Sequence, residues 1–152
     1  MLLTACEEQN PTGYQIAETL KLAGFAANQE CKAEHFYEFD NLSPNNDYFF
    51  AYVIHLEPFP DSLLGTNPGG LSGWESGSDT NELHLKVLRQ AQASAGAFSK
   101  VTWLPLLEEF TGAGYYRRFV IIDTEGTDDP HCAEFYAYNR QTHSLYYIGY
   151  KY

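Results

Sequence analysis

The sequence predicts an α+β domain: a single antiparallel β-sheet with two or three helices packed on one face. Three observations carry this reading. Strand-like runs, either alternating or continuously apolar, arrive in pairs joined by turn residues, as hairpins do. Helical spacing is confined to two stretches, with a third single turn. At 152 residues, 44% hydrophobic and 16% aromatic, the chain holds one domain with enough apolar surface for a sizeable core.

The elements follow in order. Residues 1–11 read as a polar tether, and 12–152 as the single α+β domain. Asn10-Pro11-Thr12 suits a helix start. Ile16, Leu20 and Ala23 then recur at helical spacing through Thr12–Ala26, with Gly24 near the end. Cys31–Phe39 alternates Cys31, Ala33, His35, Tyr37 and Phe39 against Lys32, Glu34, Phe36 and Glu38, a strand pattern. Turn residues fill 41–47, and Tyr48–Leu56 is a continuous apolar run expected of a central strand. From Glu57 to Asp79 the composition shifts to Pro, Gly, Ser and Asn around Trp74, which predicts a long loop.

Thr80–Ser94 fits a helix through Leu83, Val87, Leu88 and Ala91, with Asp79 and Glu82 as an imperfect capping box. Val101–Leu104 is expected to be a short strand and Pro105–Phe110 a helical turn. Tyr115–Asp123 reads as a buried strand. Ala133–Tyr138 and Leu145–Tyr150 form a closing hairpin dense in tyrosine. Alternation puts Tyr136 and Tyr138 on one face, and separates Tyr146 and Tyr150 from Tyr147, so one set is expected to face outward.

Charge is informative by its placement. The net is −11; up to Glu82 there are 2 basic and 13 acidic residues, and thereafter 7 of each. Such a balance excludes a surface that wraps nucleic acid or adheres to anionic lipid, both of which require net positive charge. A protein partner with a basic surface is the expectation, reached through Asp61, Trp74, Glu75 and Asp79 in and beside loop 57–79. Trp74 is either an exposed anchor or a lid folded over the core.

No residue pattern specifies catalysis. There is no Gly-x-Ser-x-Gly elbow, no His-Glu-x-x-His and no lysine in the Gly-rich stretch to make a phosphate loop. The five histidines stand singly, which suits structural imidazoles. The loop Asp123–Glu134 carries carboxylates at positions 1, 3, 6, 7 and 12, but its Gly126 stands at position 4 and its flanks read as strands, which departs from a calcium loop. No catalytic residue, metal or cofactor is expected, although a small hydrolase stays open as an alternative.

Leu3-Thr4-Ala5-Cys6 resembles the lipobox that ends a bacterial lipoprotein signal peptide, and the polar Glu-Glu-Gln-Asn-Pro that follows resembles the tether of such proteins. The resemblance implies a leader encoded upstream of Met1, a lipid on Cys6, and a domain held in the periplasm. With no Asp after the Cys, it implies anchorage to the outer membrane. In that oxidising space, Cys31 and Cys132 are left to form a disulfide. The same residues also admit two unpaired thiols, or a zinc set with His35 and His131. Size, compartment and charge resemble small periplasmic immunity lipoproteins. This implies a non-catalytic protein that occludes the active site of a secreted toxin; a scaffold lipoprotein of an envelope machine is the alternative.

Overall fold

Alternation along the strands produces one sheet with an apolar cluster on each face. The computed structural model describes residues 13–25, 31–40, 47–56, 73–76, 81–98 and 100–152. Its elements are helix α1 (Gly13–Ala23), strands β1 (Cys31–Asp40), β2 (Tyr48–Leu56) and β3 (Glu75–Ser76), helices α2 (Glu82–Gly96) and α3 (Leu107–Phe110), and strands β4 (Tyr115–Asp123), β5 (Cys132–Asn139) and β6 (Ser144–Lys151). All six strands make one antiparallel sheet in the order β1-β2-β6-β5-β4-β3. The α+β expectation holds, and β2 and β4 have the predicted boundaries.

On the first face, Phe49 and Ala51 of β2, Phe119 of β4, Phe135 of β5 and Ile148 of β6 pack with Val87, Leu88, Ala91 and Ala95 of α2 and Phe110 of α3. Helix α2 begins where the Asn81 side chain accepts the His84 backbone N–H at 2.8 Å. Such an N-cap contributes about 1 kcal/mol. The cap is Asn81 rather than the expected Asp79 pairing, and the helix runs on to Gly96.

The second face receives α1. Leu20, Ala23 and the following Phe25 gather with Ile54, Leu56, Trp74, Tyr116, Tyr138 and Leu145. A glycine ends α1: Gly24 adopts φ 90°, its N–H reaches the Lys21 carbonyl, and the Phe25 N–H reaches back to Leu20. That pair of bonds is a Schellman closure, with Phe25 and Leu20 in the same core cluster as its usual hydrophobic contact. Two helices therefore lie on one face as expected, while α1 takes the other. This is why no tyrosine set is turned outward: Tyr136, Tyr138 and Tyr150 are buried, Tyr147 nearly so, and Tyr146 packs against the first cluster.

Two local readings are corrected. Val101–Leu104 is not a strand; Val101 N–H bonds Phe98 and Leu104 N–H bonds Val101 in successive turns ahead of Pro105. Its apolar residues fill space beneath the sheet instead of pairing. Within the predicted loop 57–79, Glu75 and Ser76 form an edge strand against Arg117 and Tyr116.

Candidate functional site

Strand registers line up the second face in rows across the sheet. One row joins Phe36 of β1, Tyr52 of β2, Tyr147 of β6, Tyr136 of β5 and Arg118 of β4. The next, farther from α1, joins Glu38, Phe50, Gly149, Glu134 and Ile121. The last includes Tyr48, Lys151, Cys132 and Asp123. Exposure rises along this direction. Tyr48, Phe50, Tyr52, Cys132, Glu134 and Lys151 are half-buried, and Glu38, Ile121 and Asp123 are exposed. The face thus offers carboxylates set among aromatic rings.

Glu134 is its fixed point. The Tyr147 hydroxyl donates to Glu134 Oε2 at 2.7 Å and the Tyr48 hydroxyl to Oε1 at 3.3 Å, so two phenols hold the carboxylate in place. Tyr48 Oη also lies 3.5 Å from Cys132 Sγ. Burial pushes the Tyr147 phenol far above its ordinary range, with Tyr136 and Glu134 adding to the effect. Burial does the same to Tyr52, assisted by the negative charges of Glu38 and Glu134. These phenols stay protonated donors at neutral pH, and both carboxylates act on the same stretch of surface. Along β2 the rings stack, Tyr48 on Phe50 at 6.1 Å and Phe50 on Tyr52 at 5.1 Å, with Phe36 against Tyr52 at 4.6 Å. Gly149 makes this packing possible. A Cβ there would stand 2.4 Å from the Phe50 ring, so only glycine lets that ring lie across the sheet beside Glu134.

Of the residues picked out by sequence, Cys6, Asp61 and Asp79 lie outside the described residues. Trp74 is not an exposed anchor: it is 4% exposed, stacks edge-on against Phe25, and donates its indole N–H to the Ala23 carbonyl at 3.1 Å. It is the lid over the core. Glu75 is half-buried, its Oε1 2.8 Å from His84 Nδ1 and 3.7 Å from Arg117. A histidine oriented by a carboxylate is one part of a hydrolytic set. No nucleophile joins the pair among the described residues, and the cavity of about 200 Å³ between Phe39, Asp47, Phe49 and Phe98 is lined by neither of them.

The disulfide between Cys31 and Cys132 is overturned by the register. Both are free thiols. Cys31 stands opposite Leu56, whereas Cys132 stands opposite Lys151, which is opposite Tyr48, so the two are tied to opposite ends of the nine-residue β2. At ~3.3 Å per residue that separates them by about 26 Å, against the roughly 7 Å that a disulfide tolerates. The same distance dissolves the zinc set of Cys31, His35, His131 and Cys132. Thiol-specific alkylation of the unreduced, denatured protein is expected to modify both Cys31 and Cys132, and reductant is expected to leave the melting temperature unchanged. Mass analysis finding Cys31 linked to Cys132 in one chain contradicts this.

Within residues 123–134, one ligand atom each of Asp123, Glu125 and His131 lies within 4.8 Å of the others, a spacing that could hold a metal ion. Asp123 and Glu125 pair with His131, with Glu125 Oε1 3.1 Å from its Nε2, while Glu134, the twelfth position, turns to the tyrosines. Sequence reasoning also passed over Arg117 and Arg118, which are 0% and 1% exposed on β4. Arg117 donates to the carbonyls of Phe110 and Ser76, and Arg118 to that of Leu22 near the end of α1. Desolvation lowers the Arg118 pKa. Charged residues inside a run expected to be buried were the available signal. No family model, no curated protein and no solved structure matches this chain.

Proposed function

We propose that this chain is a non-catalytic, lipid-anchored periplasmic protein that binds a basic protein partner, in the manner of an immunity protein that occludes the active site of a secreted toxin. One observation carries the reading: a sheet face where Glu38, Glu134 and Asp123 stand among half-buried aromatic rings, in a chain with net charge −11. Carboxylates on a rigid sheet steer a cationic partner and select it, and the rings supply contact area at low entropic cost. Cys6 carries the lipid and keeps the domain at the outer membrane, where an incoming toxin is met. Glu75 lies on the α2 face, paired with His84 and Arg117, and Trp74 holds the core, so neither belongs to this contact surface; Asp61 and Asp79 lie outside the described residues.

The experiment directs the chain to the periplasm together with the product of the gene beside its own, and follows growth and binding. The native chain is expected to protect cells and to bind that product with an association rate that falls as salt is raised. Exposed Glu38→Lys and half-buried Glu134→Lys, each checked for folding by circular dichroism, are expected to weaken binding about tenfold through like-charge repulsion. Absence of protection, or binding indifferent to both substitutions and to salt, overturns the reading.

A further inference from the structure

The connection between β4 and β5 holds a cluster of which the partner-binding reading uses only Asp123. Asp123 closes β4, His131 stands just ahead of β5, and Glu125 lies in the turn between them. Glu125 takes φ 46° and gives its backbone N–H to Asp123 Oδ1 at 3.0 Å. Asp123 Oδ2 lies 3.9 Å from His131 Nε2, and Glu125 Oε1 lies 3.1 Å from the same nitrogen. Atoms bound to one ion at about 2.1 Å stand roughly 3.0–3.4 Å apart in octahedral or tetrahedral geometry. Small rotations of these side chains therefore bring one atom of each, already within 4.8 Å of the others, onto a single ion. His131 is the fixed member. The Tyr152 N–H donates to its carbonyl at 3.1 Å, the Tyr150 hydroxyl donates to the carbonyl of neighbouring Pro130 at 2.8 Å, and its ring is 16% exposed. Among the described residues neither exposed carboxylate meets a lysine or an arginine, so two negative charges face one imidazole and no fixed cation.

We propose that Asp123, Glu125 and His131 form a binding site for a divalent ion of the zinc class. It is not the set of two cysteines and two histidines, of which it keeps only His131. An imidazole nitrogen beside two carboxylates selects zinc or a similar borderline ion over calcium and magnesium, which prefer oxygen ligands throughout. Three protein ligands leave the ion's remaining positions to water from the solvent side. Bound there, it joins the end of β4 to the start of β5 and cancels the charge of both carboxylates. Because the ion binds the folded hairpin and its ligands come from both strand ends, it stabilises the native chain in proportion to its concentration. The site stands independently of the protein-partner reading.

The test titrates zinc into the full, reduced chain and follows the imidazole signals of all five histidines by NMR. The first equivalent is expected to move the His131 signals and to raise the melting temperature. Asp123→Asn and Glu125→Gln, each checked for folding by circular dichroism, are expected to weaken zinc binding by more than about tenfold, the loss that even an outer partner of a ligand can cause. Calcium is expected to bind at least about tenfold more weakly than zinc. His131 signals that stay in place up to millimolar zinc leave only an ion pair between imidazole and carboxylates, and overturn the proposal. So does zinc that moves His35, His55 or His143 instead, or cobalt that shows a thiolate charge-transfer band, which puts the ion on Cys31 or Cys132. Calcium binding as tight as that of zinc and indifferent to His131→Gln is general attraction to an acidic loop, and overturns it as well.

Discussion

Replacement of Arg117 by alanine is expected to remove about 3–5 kcal/mol of stability, measured by urea unfolding. The guanidinium is fully buried and fastens two elements, α3 and β3, to its own strand: Nη1 donates to the Phe110 carbonyl at 3.2 Å, where α3 ends, Nη2 donates to the Ser76 carbonyl of β3 at 3.1 Å, and Glu75 of β3 lies 3.7 Å away. Truncation strands two carbonyls without their donor and leaves Glu75 only its histidine. Arg117→Lys is expected to lose most of the same stability, because one ammonium on a flexible stem cannot span carbonyls that the planar fork reaches together. Exposed Arg140, whose guanidinium sits 4.9 Å over the Tyr116 ring, supplies the contrast. Its replacement by alanine is expected to cost about 0.5 kcal/mol. An Arg117→Ala protein as stable as Arg140→Ala shows that the buried fork is not what ties β3 and α3 to the sheet.

Gly149→Ala is expected to cost about 1–3 kcal/mol, since the new methyl overlaps the Phe50 ring and forces it aside. The ring then leaves its stack on Tyr52 and its edge contact of 4.9 Å with Tyr147, the residue that holds Glu134. The larger part of the effect comes from one neighbour, the Phe50 ring; the other, Glu134 Cγ at 3.1 Å, need give only slightly. In a Phe50→Ala background the ring is gone, and the penalty of Gly149→Ala is expected to fall to near zero, the remaining crowding at Glu134 offset by the roughly 0.5–1 kcal/mol that glycine costs within a strand. A double-mutant cycle by urea unfolding reads this directly. An equal penalty in both backgrounds assigns the glycine to backbone conformation and separates it from the Phe50 packing.

What was legible in the sequence was local. Tyr48–Leu56 and Tyr115–Asp123 were bounded correctly because a run of apolar residues between turn residues fixes a strand without reference to the rest of the chain. What failed depended on strand order. Cys31 and Cys132 were paired by counting thiols, yet the placement of β6 between β2 and β5 sends them to opposite ends of the sheet. Trp74 sits among loop-forming residues, and nothing beside it in sequence marks Ala23 as its acceptor. The buried arginines escaped because their partners are the carbonyls of Leu22, Ser76 and Phe110, which have no side-chain signature. Glu134, expected both in the strand Ala133–Tyr138 and as the last position of loop 123–134, carries no local sign of its fixed carboxylate because Tyr48, its hydrogen-bonding partner, lies 86 residues earlier.

The position of β6 also governs how the chain reaches this state. Hairpin β1–β2 and the meander β4–β5–β6 can each zip up from neighbouring residues, but the two halves pair along β2 and β6, where the start of one strand faces the end of the other. Closing that seam carries the largest loop entropy in the molecule, so it sets the folding rate. Until β6 (Ser144–Lys151) has been made, both aromatic halves wait with an open flank. An emerging chain of this kind gains from being shielded until β6 arrives to finish the sheet.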